Sequence, residues 1–569
     1  MVYRIADNIL SPLGETTLQN YQAVKAGSSV LRRYDHYRNI SEPFCASLFT
    51  EAQNRSINVD GLTRFESLAY TSSKKALEAT AIDVHKDHVI FILSTTKGNI
   101  ELISSEGTKE SLLYPGVAAS HIALRLGIQT RPITVCNACI SGVSAIILAQ
   151  RLLEAGFYDY AIVCGADTQS QFTISGFQSL KAVSEDACKP FDMERIGLNL
   201  GEAAATIILS KEYTGQNGWS ISSGAIRNDG FHISSPSKNG EGARLAIEAV
   251  MSYCNFGELG FINAHGTATM FNDQMESVAI ERSSLQNIPV NALKGYFGHT
   301  LGAAGVLETV LSMTAMDDHT ILATKGFKES GVSGKIHLSP HNLSTDKQGF
   351  LKMISGFGGG NAVILAHKNQ VSKKTDKKII EIGAYETTHH LSICSQGVEL
   401  DGKPLDIVTT GKDLLTDLYK RYVGDYPKFY KMDGLSRLGF IAAELLMQSE
   451  EESDEMLSEM RAIIFFNRTS SIDSDKSFQA SIQDADNFFP SPAVFVYTLP
   501  NIVTGEIAIR HNLHGETSFY ILPEKDEKTI DMVLKTSLQD KQTCSILGGW
   551  IDYQDSNHFE AEVFIIKKK

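Results

Sequence analysis

One stretch, residues 132–153, constrains the fold more than any other part of the chain. Its first half, Pro132–Ala138, is rich in β-branched residues and predicts a short buried strand. Its second half, Val143–Leu153, has apolar residues at every third or fourth position and predicts a helix. Cys139 falls at the junction, where backbone N–H groups and the positive end of a helix dipole converge. We therefore expect a lowered thiol pKa and a nucleophilic thiolate.

Simpler interpretations of Cys139 remain open on this stretch alone. An unpaired cysteine is most often a small buried apolar residue. Cys136 and Cys139 also form a C-x-x-C pair, which would suit a redox couple or half of a zinc site. No second C-x-x-C follows in the sequence, so we expect no zinc.

Length and composition narrow the class of protein. The chain has 569 residues, more than one ordinary core holds, which predicts two to four domains. A formal net charge of −14 argues against a general role in binding nucleic acid or a membrane surface. The eight cysteines are scattered, as in a reducing cytosol. The first residues lack a basic, apolar leader, and no apolar run approaches the roughly 20 residues of a membrane span. These features predict a cytoplasmic protein.

Strands and helices alternate along the first two thirds of the chain. The segments 88–96 and 160–167 are apolar throughout, as expected for strands that are covered on both faces of a sheet. A strand over 203–209 and another that ends near His265 follow. Alternation of this kind predicts a layered α/β fold.

Three further motifs follow Cys139 at large spacings. They are His265-Gly-Thr-Ala-Thr with Asp273 and Glu276 shortly after it, Lys294-Gly-Tyr-Phe-Gly-His299, and Gly356-Phe357-Gly-Gly-Gly-Asn361. Each motif alone is a weak signal, but the four in this order are a strong one. Together they resemble the β-ketoacyl-acyl-carrier-protein synthases of fatty acid and polyketide synthesis. The resemblance covers residues 1 to about 368 and implies a thiolase-like fold of α-β-α-β-α layers.

The resemblance also implies a chemistry, the decarboxylative condensation of an acyl thioester with a malonyl thioester. Cys139 would hold the acyl group. The backbone N–H groups of Cys139 and Phe357 would form the oxyanion hole. His265 and His299, as neutral imidazoles, would donate hydrogen bonds to the enolate that forms when malonyl loses carbon dioxide. Taken singly, each histidine would more often be an ordinary core or surface residue.

Supporting roles are implied for three charged residues. Lys294 is expected to interact with Glu276 and to organise the histidines, since a buried ion pair must be well bonded to be tolerated. Asp273 is expected to support the same network. We expect no metal and no bound cofactor, because the substrates of this family are carried on the phosphopantetheine of an acyl carrier protein. The glycine-rich turn 356–361 lacks the Gly-Lys-Ser/Thr ending of a phosphate loop, so we expect no nucleotide.

Some positions depart from the family pattern. Ser355 stands where the family usually has a phenylalanine, and Gly360 where it has a threonine. Ile196-Gly197-Leu198 stands where the family usually shows Asp-Gly-Phe. These places shape the acyl pocket and its gate, so the substrate is expected to differ from that of ordinary fatty acid elongation.

The last part of the chain echoes its beginning. Matching segments fall into two registers. In the first register Asp60–Arg64 matches Asp433–Arg437, and His88 matches Arg461. In the second register Ile122–Arg125 matches Ile507–Arg510, and Asp167 matches Asp552. Continuing the second register puts Glu524 at the place of Cys139.

The repeat predicts how the chain is divided. We expect the two halves of a synthase at 1–212 and 213–368, a linker at 369–377, and a half-thiolase α/β domain at 378–569. This last segment, called the tail below, would be a catalytically inactive copy of the N-terminal half. Glu524 would be an ordinary solvated residue.

Two alternatives to an elongating synthase remain. One is a non-elongating scaffold similar to a chain-length-factor partner, against which the intact Cys139 argues. The other is a thiolase or priming acyltransferase, which would pair one histidine with a second catalytic cysteine. We expect an acyl carrier protein as partner, with Arg32, Arg33, Lys74 and Lys75 as candidates for a local basic patch. We also expect a homodimer through the central sheets, or a heterodimer with another synthase-like subunit. The tail could supply such a partner within one chain.

Overall fold

The computed structural model describes residues 1–40, 42–212, 218–253, 256–368, 383–450, 460–484, 486 and 488–569. The predicted linker 369–377 and Cys254 lie outside the described residues. We refer to residues 1–368 as the core, and the described part of the tail begins at residue 383.

The core has sixteen strands and ten α-helices within its described residues. The strands are β1 (Val2–Leu10), β2 (Arg32–Tyr34), β3 (Phe44–Ser47), β4 (Val89–Ser94), β5 (Ile133–Val135), β6 (Tyr160–Asp167), β7 (Leu200–Gly201), β8 (Ala203–Ser210), β9 (Trp219–Asn228), β10 (Leu259–Asn263), β11 (Pro289–Asn291), β12 (Thr320–Ile321), β13 (His337–Leu338), β14 (Leu343–Ser344), β15 (Gly349–Ser355) and β16 (Gly360–Lys368). The helices are α1 (Thr17–Lys25), α2 (Glu51–Ile57), α3 (Arg64–Glu78), α4 (Pro115–Leu126), α5 (Ser141–Glu154), α6 (Gln171–Ser179), α7 (Glu241–Met251), α8 (Met270–Arg282), α9 (Lys294–Phe297) and α10 (Ala304–Asp317).

The tail contributes seven strands and six α-helices within its described residues. The strands are β17 (Tyr385–Cys394), β18 (Gly397–Leu400), β19 (Lys403–Pro404), β20 (Arg461–Asn467), β21 (Thr517–Ile521), β22 (Ser545–Asp555) and β23 (His558–Lys568). The helices are α11 (Leu414–Leu418), α12 (Gly434–Gln448), α13 (Ile472–Ala480), α14 (Pro492–Tyr497), α15 (Ile502–His511) and α16 (Glu527–Ser537).

The core is built in five layers. Two sheets, ordered β5-β4-β6-β8-β1 and β9-β16-β15-β10-β11-β13, meet where β1 pairs with β9. Helices α5 and α10 pack between the sheets, and almost every residue of both is buried. Helix α3 covers the first sheet and α7 the second. The apolar run in α5 that the sequence shows is therefore the run expected of a helix with neighbours on all sides. This is the thiolase-like layered α/β fold.

The strand pairing of the tail follows that of the first core sheet. Strand β20 pairs in parallel with β21 and β22, as β4 does with β5 and β6. Strand β22 pairs antiparallel with β23, as β6 does with β8. The tail therefore repeats the order and the directions of the strands in the N-terminal half of the core.

The register at β20 differs by one residue from the predicted one. In the core Ile92 lies beside Ile133, and in the tail Ile464 lies beside Ser518, which is the counterpart of Ile133 in the second register of the repeat. The structural counterpart of Ile92 is thus Ile464, whereas the first register of the repeat assigned Phe465 to that place.

The tail docks on the free edge of the first core sheet. Strand β21 pairs antiparallel with β5, with Tyr520 opposite Val135 and Ile521 opposite Thr134. Tyr520 is the counterpart of Val135 in the second register of the repeat, so an approximate twofold axis passes between two equivalent residues. The other side of β5 is taken by β4. In this arrangement β5 offers no edge for a second copy of the chain, so the expected pairing of two chains through the central sheets is blocked at this strand.

Buried ion pairs join the tail to the core. Arg151 contacts Glu516, Arg227 contacts Asp540, and the ammonium of Lys97 donates to Asp475, all between side chains that are at most 9% exposed. Buried charges of this kind are tolerated only when they are well paired, so the interface has a fixed register. Among the described residues, no helix is both long and apolar enough to cross a membrane.

Candidate active site

Cys139 lies on a tight turn between β5 and α5. Residues Ala138–Ile140 form a short 3-10 turn, in which Ala138 has a φ of +48°, a value that L-residues rarely adopt. The Ser141 hydroxyl donates to the Ala138 carbonyl and accepts from the Asn137 N–H, which holds this conformation. The turn points the thiol of Cys139 into a cavity of about 340 Å³.

The expected lowering of the Cys139 pKa is wrong in its net direction. Burial raises the pKa of the thiol to about 12. Lys294 and the backbone N–H groups of Cys139 and Phe357 act in the expected direction, but their effect is smaller than that of burial. The resting residue is therefore a thiol, whose proton must leave when it attacks.

The two predicted histidines meet beside this thiol. His265 follows β10, His299 follows α9, and their ring centroids are 4.9 Å apart with the planes nearly perpendicular. One ligand atom each from Cys139, His265 and His299 lie within 4.8 Å of one another. Residues from three distant parts of the sequence thus converge at the bottom of one cavity.

The environment of the histidines keeps both rings neutral and fixes one tautomer. The Leu301 N–H donates to Nδ1 of His299, so the neutral ring carries its proton on Nε2. That Nε2 is buried and has no partner among the described residues, which leaves it free to donate to a ligand. Burial lowers the pKa of both histidines well below 6.5, and the positive charges of Lys294 and Lys352 lower it further.

Glu276 and Asp273 shape the turn that carries His265. The Glu276 carboxylate accepts from the backbone N–H groups of His265 and Gly266 at 2.6 and 2.7 Å. Asp273 accepts from the N–H groups of Ala268 and Phe191, which ties this turn to the neighbouring loop. Burial raises the pKa of Glu276 to about 7 and that of Asp273 to about 6.

The expected pairing of Lys294 with Glu276 is wrong. The Lys294 ammonium donates instead to Glu308 at 2.8 Å and to the His265 carbonyl at 2.6 Å. Lys352 donates to the other carboxylate oxygen of Glu308, and all three side chains are at most 3% exposed. Glu276 is occupied by backbone donors, so the lysine needs this other carboxylate.

Sequence reasoning missed Glu308 and Lys352. Each is a lone charge in an otherwise apolar segment, Glu308 in the first half of α10 and Lys352 within β15. Because such charges are buried only when they are paired, two of opposite sign in buried elements were a usable signal. Burial lowers the pKa of Lys352 to about 8, while Glu308 opposes this shift.

The glycine-rich turn forms another part of the cavity wall. Gly358 and Gly359 have φ values of +87° and +76°, which a side chain would strain. The turn brings Gly356 so near to the backbone nitrogen of Cys139 that an added Cβ would lie 3.2 Å from it. The N–H of Phe357 thereby faces the thiol, as does that of Cys139.

The residues that depart from the family pattern all line the cavity. Ser355, Gly360 and Ile196–Leu198 lie on its wall. A second cavity of only about 20 Å³ continues past Cys139 and Phe357. Its far wall comes from the tail, whose Phe495 lies so close to Gly176 that an added Cβ there would collide with the ring. No signal in the sequence indicated this contribution, because it depends on how the tail docks.

The cluster of one thiol and two imidazoles also has the donor set of a metal site. Its electrostatics oppose a cation. Lys294 and Lys352 place two positive charges close enough to lower the pKa of both histidines, and both ammonium groups share the carboxylate of Glu308. The arrangement suits an anionic ligand or a developing negative charge.

Comparison with known proteins decides the family. Residues 12–214 match the model of the N-terminal domain of β-ketoacyl synthase, and residues 220–328 match that of its C-terminal domain. The chain belongs to the β-ketoacyl synthase family. It is 26% identical to 3-oxoacyl-[acyl-carrier-protein] synthase 2 of Vibrio cholerae over 405 residues, covering 63% of this chain and 96% of the relative. Identity to the enzyme of the same name from Rhizobium meliloti is 31% over 271 residues, covering 44% of this chain and 64% of the relative. The protein is thus an acyl-transferring condensing enzyme.

Solved structures add information on the tail. A ketosynthase in complex with its chain length factor from Xenorhabdus doucetiae aligns with a TM-score of 0.57 at 25% identity. The alignment covers 65% of the present chain and 98% of the chain from that structure. A second structure, titled PfaC keto synthase-chain length factor, aligns with a TM-score of 0.79 over 100% of the synthase and 78% of that chain, at 15% identity. The second match shows a shared fold that includes the tail.

The tail of the synthase lacks the geometry of the Cys139 turn. Glu524, at the position of Cys139, has a side chain that is 65% exposed and pairs with Arg131 at 2.9 Å. Pro523 stands where Ala138 has its positive φ. Proline holds φ near −65°, so this turn cannot form in the tail.

Proposed function

We propose that the synthase elongates an acyl chain by decarboxylative Claisen condensation, with Cys139, His265 and His299 as its catalytic residues. The observation that carries the proposal is their convergence at one cavity, where two backbone N–H groups also face the Cys139 thiol. The substrates would be an acyl thioester and the malonyl thioester of an acyl carrier protein, as the names of the curated relatives suggest.

In the first step the Cys139 sulfur attacks the acyl thioester carbonyl. The backbone N–H groups of Cys139 and Phe357 stabilise the oxyanion of the tetrahedral intermediate. The intermediate collapses to an acyl-cysteine and releases the carrier thiolate, which takes up the proton lost by Cys139. A protonated resting thiol suits this exchange, because proton loss and departure of the leaving group balance within one step.

In the second step malonyl thioester loses carbon dioxide, and the electron pair of the broken carbon–carbon bond forms an enolate. Nε2–H of His299 and a ring N–H of His265 stabilise the enolate oxygen. The enolate carbon attacks the acyl-cysteine carbonyl, and collapse of this intermediate releases a β-ketoacyl product and the Cys139 thiolate, which takes up a proton from solvent to return to the resting thiol. Burial keeps the histidines neutral, and the charges of Lys294 and Lys352 add to this effect, so that both rings donate without carrying charge.

We propose that the tail is non-catalytic and acts as a built-in partner of the core. It occupies the free side of β5, and Phe495 closes the space beyond Cys139. Its fold matches that of a structure titled keto synthase-chain length factor. An elongating core joined to a chain-length-factor-like tail accounts for both an intact Cys139 and a tail without a nucleophile.

The proposal also includes a carrier-protein partner, a cellular location and an oligomeric state. An acyl carrier protein would present its phosphopantetheine arm to the cavity that holds Cys139, and the reaction needs no metal or further cofactor. The predicted basic patch is weakly supported, because Arg33 pairs with Asp35 and Glu185, and Lys75 pairs with Glu15. A thiol nucleophile must stay reduced, which suits the cytoplasm. Any homodimer would have to form through a surface other than β5.

Intact-protein mass spectrometry tests the proposed reaction. Wild type and Cys139→Ala are incubated with a bacterial acyl carrier protein charged with a hexanoyl group, and then with its malonyl form. We expect a hexanoyl adduct on wild type alone, followed by its loss and an extended β-keto product. Absence of any adduct would favour the non-elongating scaffold, and an adduct without extension would favour a priming acyltransferase.

A further inference from the structure

The tail reaches the glycine-rich turn of the active site through one side chain, Asn501. This residue precedes α15 and is 6% exposed. Its side-chain amide donates to the Phe357 carbonyl at 2.8 Å. An added Cβ on Gly358 would lie 2.7 Å from the same nitrogen, so the contact is close as well as polar. The Phe357 N–H faces Cys139, which places Asn501 one residue from the oxyanion hole.

Residues of the core hold the rest of this turn. The Gly356 N–H donates to the Gly360 carbonyl, the Gly358 N–H to the Ile233 carbonyl, and the Asp229 N–H to the Gly359 carbonyl. Asn228 donates to the Gly358 carbonyl and also to the hydroxyl of Thr517 in the tail. The Phe357 carbonyl, in contrast, accepts its hydrogen bond directly from a side chain of the tail, that of Asn501.

That position matters because of how the backbone rotates. The Phe357 N–H and the Phe357 carbonyl belong to two planar peptide units that share one Cα atom. Gly358 and Gly359, which follow, resist rotation less than other residues do. A donor that fixes the carbonyl therefore limits rotation at Phe357 and keeps its N–H aimed at the thiol.

Close packing strengthens the contact. In α15 an added Cβ on Gly505 would lie 2.6 Å from the Gly358 carbonyl oxygen, so the helix backbone itself rests against the turn. The Asn501 carbonyl accepts from the Thr504 hydroxyl and the Gly505 N–H, which ties Asn501 to this helix. The turn is thus braced by a rigid element of the tail and not by a loose loop.

We propose that Asn501 is a positioning residue for the oxyanion hole, so that the tail contributes to acyl transfer by holding the Phe357 peptide. This inference rests on the proposed function, since it assumes that the Phe357 N–H stabilises an oxyanion formed at Cys139. The proposal predicts different effects on the two half-reactions. Acyl transfer to Cys139 uses the Phe357 N–H, whereas malonyl decarboxylation uses the histidines.

The test compares these half-reactions in wild type, Asn501→Asp and Asn501→Ala. Asn501→Asp keeps the shape but loses the donor at neutral pH, and Asn501→Ala serves if the buried carboxylate prevents folding. Cys139 acylation is followed by intact protein mass, with the hexanoyl thioester of N-acetylcysteamine as substrate. Decarboxylation is followed separately, as the release of carbon dioxide from the malonyl thioester of N-acetylcysteamine. We expect acylation to slow about tenfold, less than the loss of an oxyanion donor itself causes, while decarboxylation stays within about twofold.

Asn467→Ala is the matched control. Asn467 is also a buried tail asparagine, and its amide donates to the Ser470 carbonyl within the tail. We expect this variant to lose stability without changing the ratio of the two rates. Acylation at the wild-type rate in both Asn501 variants would overturn the proposal, and so would an equal fall of both rates or the same split in Asn467→Ala. Failure of wild type to acylate would instead count against the proposed function.

Discussion

Two strand–turn–helix units of the synthase face each other across its approximate twofold axis, and they differ at the turn. In the core, β5 leads through Ala138 and Cys139 into α5, which is buried on all sides. In the tail, β21 leads through Pro523 and Glu524 into α16, which has an exposed face. The strands pair with each other, but only one of the two turns carries a cysteine. The same strand order therefore accommodates two different turns, and the turn of the core is the one that places a thiol at the cavity.

The two units share one buried hydrogen-bond pattern. Asp167 accepts from the N–H and hydroxyl of Thr96, and Asp552 accepts from the N–H and hydroxyl of Thr469. Asp167 also accepts from the N–H of Gly302, in the C-terminal half of the core. In the tail, Asp552 lies 3.7 Å from Arg468. The buried aspartate that ties neighbouring strands together is thus present in both units.

The largest effect is expected from exchanging the turn residues. Ala138→Pro should abolish loading of Cys139, on the order of a thousandfold or more, because proline cannot adopt the φ of +48° found there. Ala138→Gly should keep loading, since glycine adopts positive φ freely. The measurement is the rate of acyl-adduct formation by intact mass. Conversely, Glu524→Cys with Pro523 retained should give no second adduct, because proline prevents this turn from forming, and a second adduct would contradict that view.

A large effect on stability is expected from the buried cluster of the core. Glu308→Gln leaves Lys294 and Lys352 without a carboxylate and should lower the free energy of unfolding by about 3–5 kcal/mol. Glu524→Gln in the tail breaks an exposed pair and should change it by less than about 1 kcal/mol. Chemical denaturation of both variants measures the difference. Similar losses would contradict the view that the core cluster depends on its carboxylate.

A moderate change in specificity is expected at the junction of the two units. Phe495→Ala should open the space beyond Cys139, so that the ratio of kcat/KM for hexanoyl over acetyl thioesters rises about tenfold. Phe489→Ala, which removes a tail phenylalanine that is 74% exposed, should leave that ratio unchanged. Steady-state kinetics with both thioesters provides the comparison. An unchanged ratio in Phe495→Ala would mean that the tail does not limit the acyl chain.

The smallest effect is a shift in pH dependence. Burial lowers the pKa of both histidines, and the charges of Lys294 and Lys352 lower it further. The proposed reaction uses the neutral rings as hydrogen-bond donors. Activity is lost as pH falls through those pKa values, so Lys352→Met, which raises them toward 6.5, should move the acid limb of malonyl decarboxylation to higher pH. Lys74→Met, at an exposed site, should not move it. An unmoved acid limb in Lys352→Met would contradict the electrostatic role of Lys352.

The sequence predicted the fold class and three residues that converge at one cavity, because both depend on local patterns. Cys139, His265 and His299 each follow an apolar strand or stand beside a glycine-rich turn, which marks them in the sequence. The partner of Lys294 could not be read this way. Glu276 already accepts hydrogen bonds from backbone N–H groups, so Lys294 pairs with Glu308 instead. Which carboxylate is left for the lysine depends on packing and not on a local sequence pattern.

The Cys139 pKa shows a second limit of sequence reasoning. The turn geometry that lowers the pKa was predictable, but the depth at which the thiol lies was not, and burial has the larger effect. The docking of the tail is a third. The internal repeat indicated a second copy, but its contacts through Asn501 and Phe495 depend on three-dimensional placement.

The pairing of β5 with β21 has a consequence for the enzyme in dilute solution. A partner held by non-covalent contacts alone is lost once its concentration falls below the dissociation constant. Here the partner strand is tethered to the same polypeptide, so its local concentration is set by chain geometry and not by the amount of protein present. Each molecule carries one core and one tail in a fixed ratio. Specific activity should accordingly stay constant on dilution.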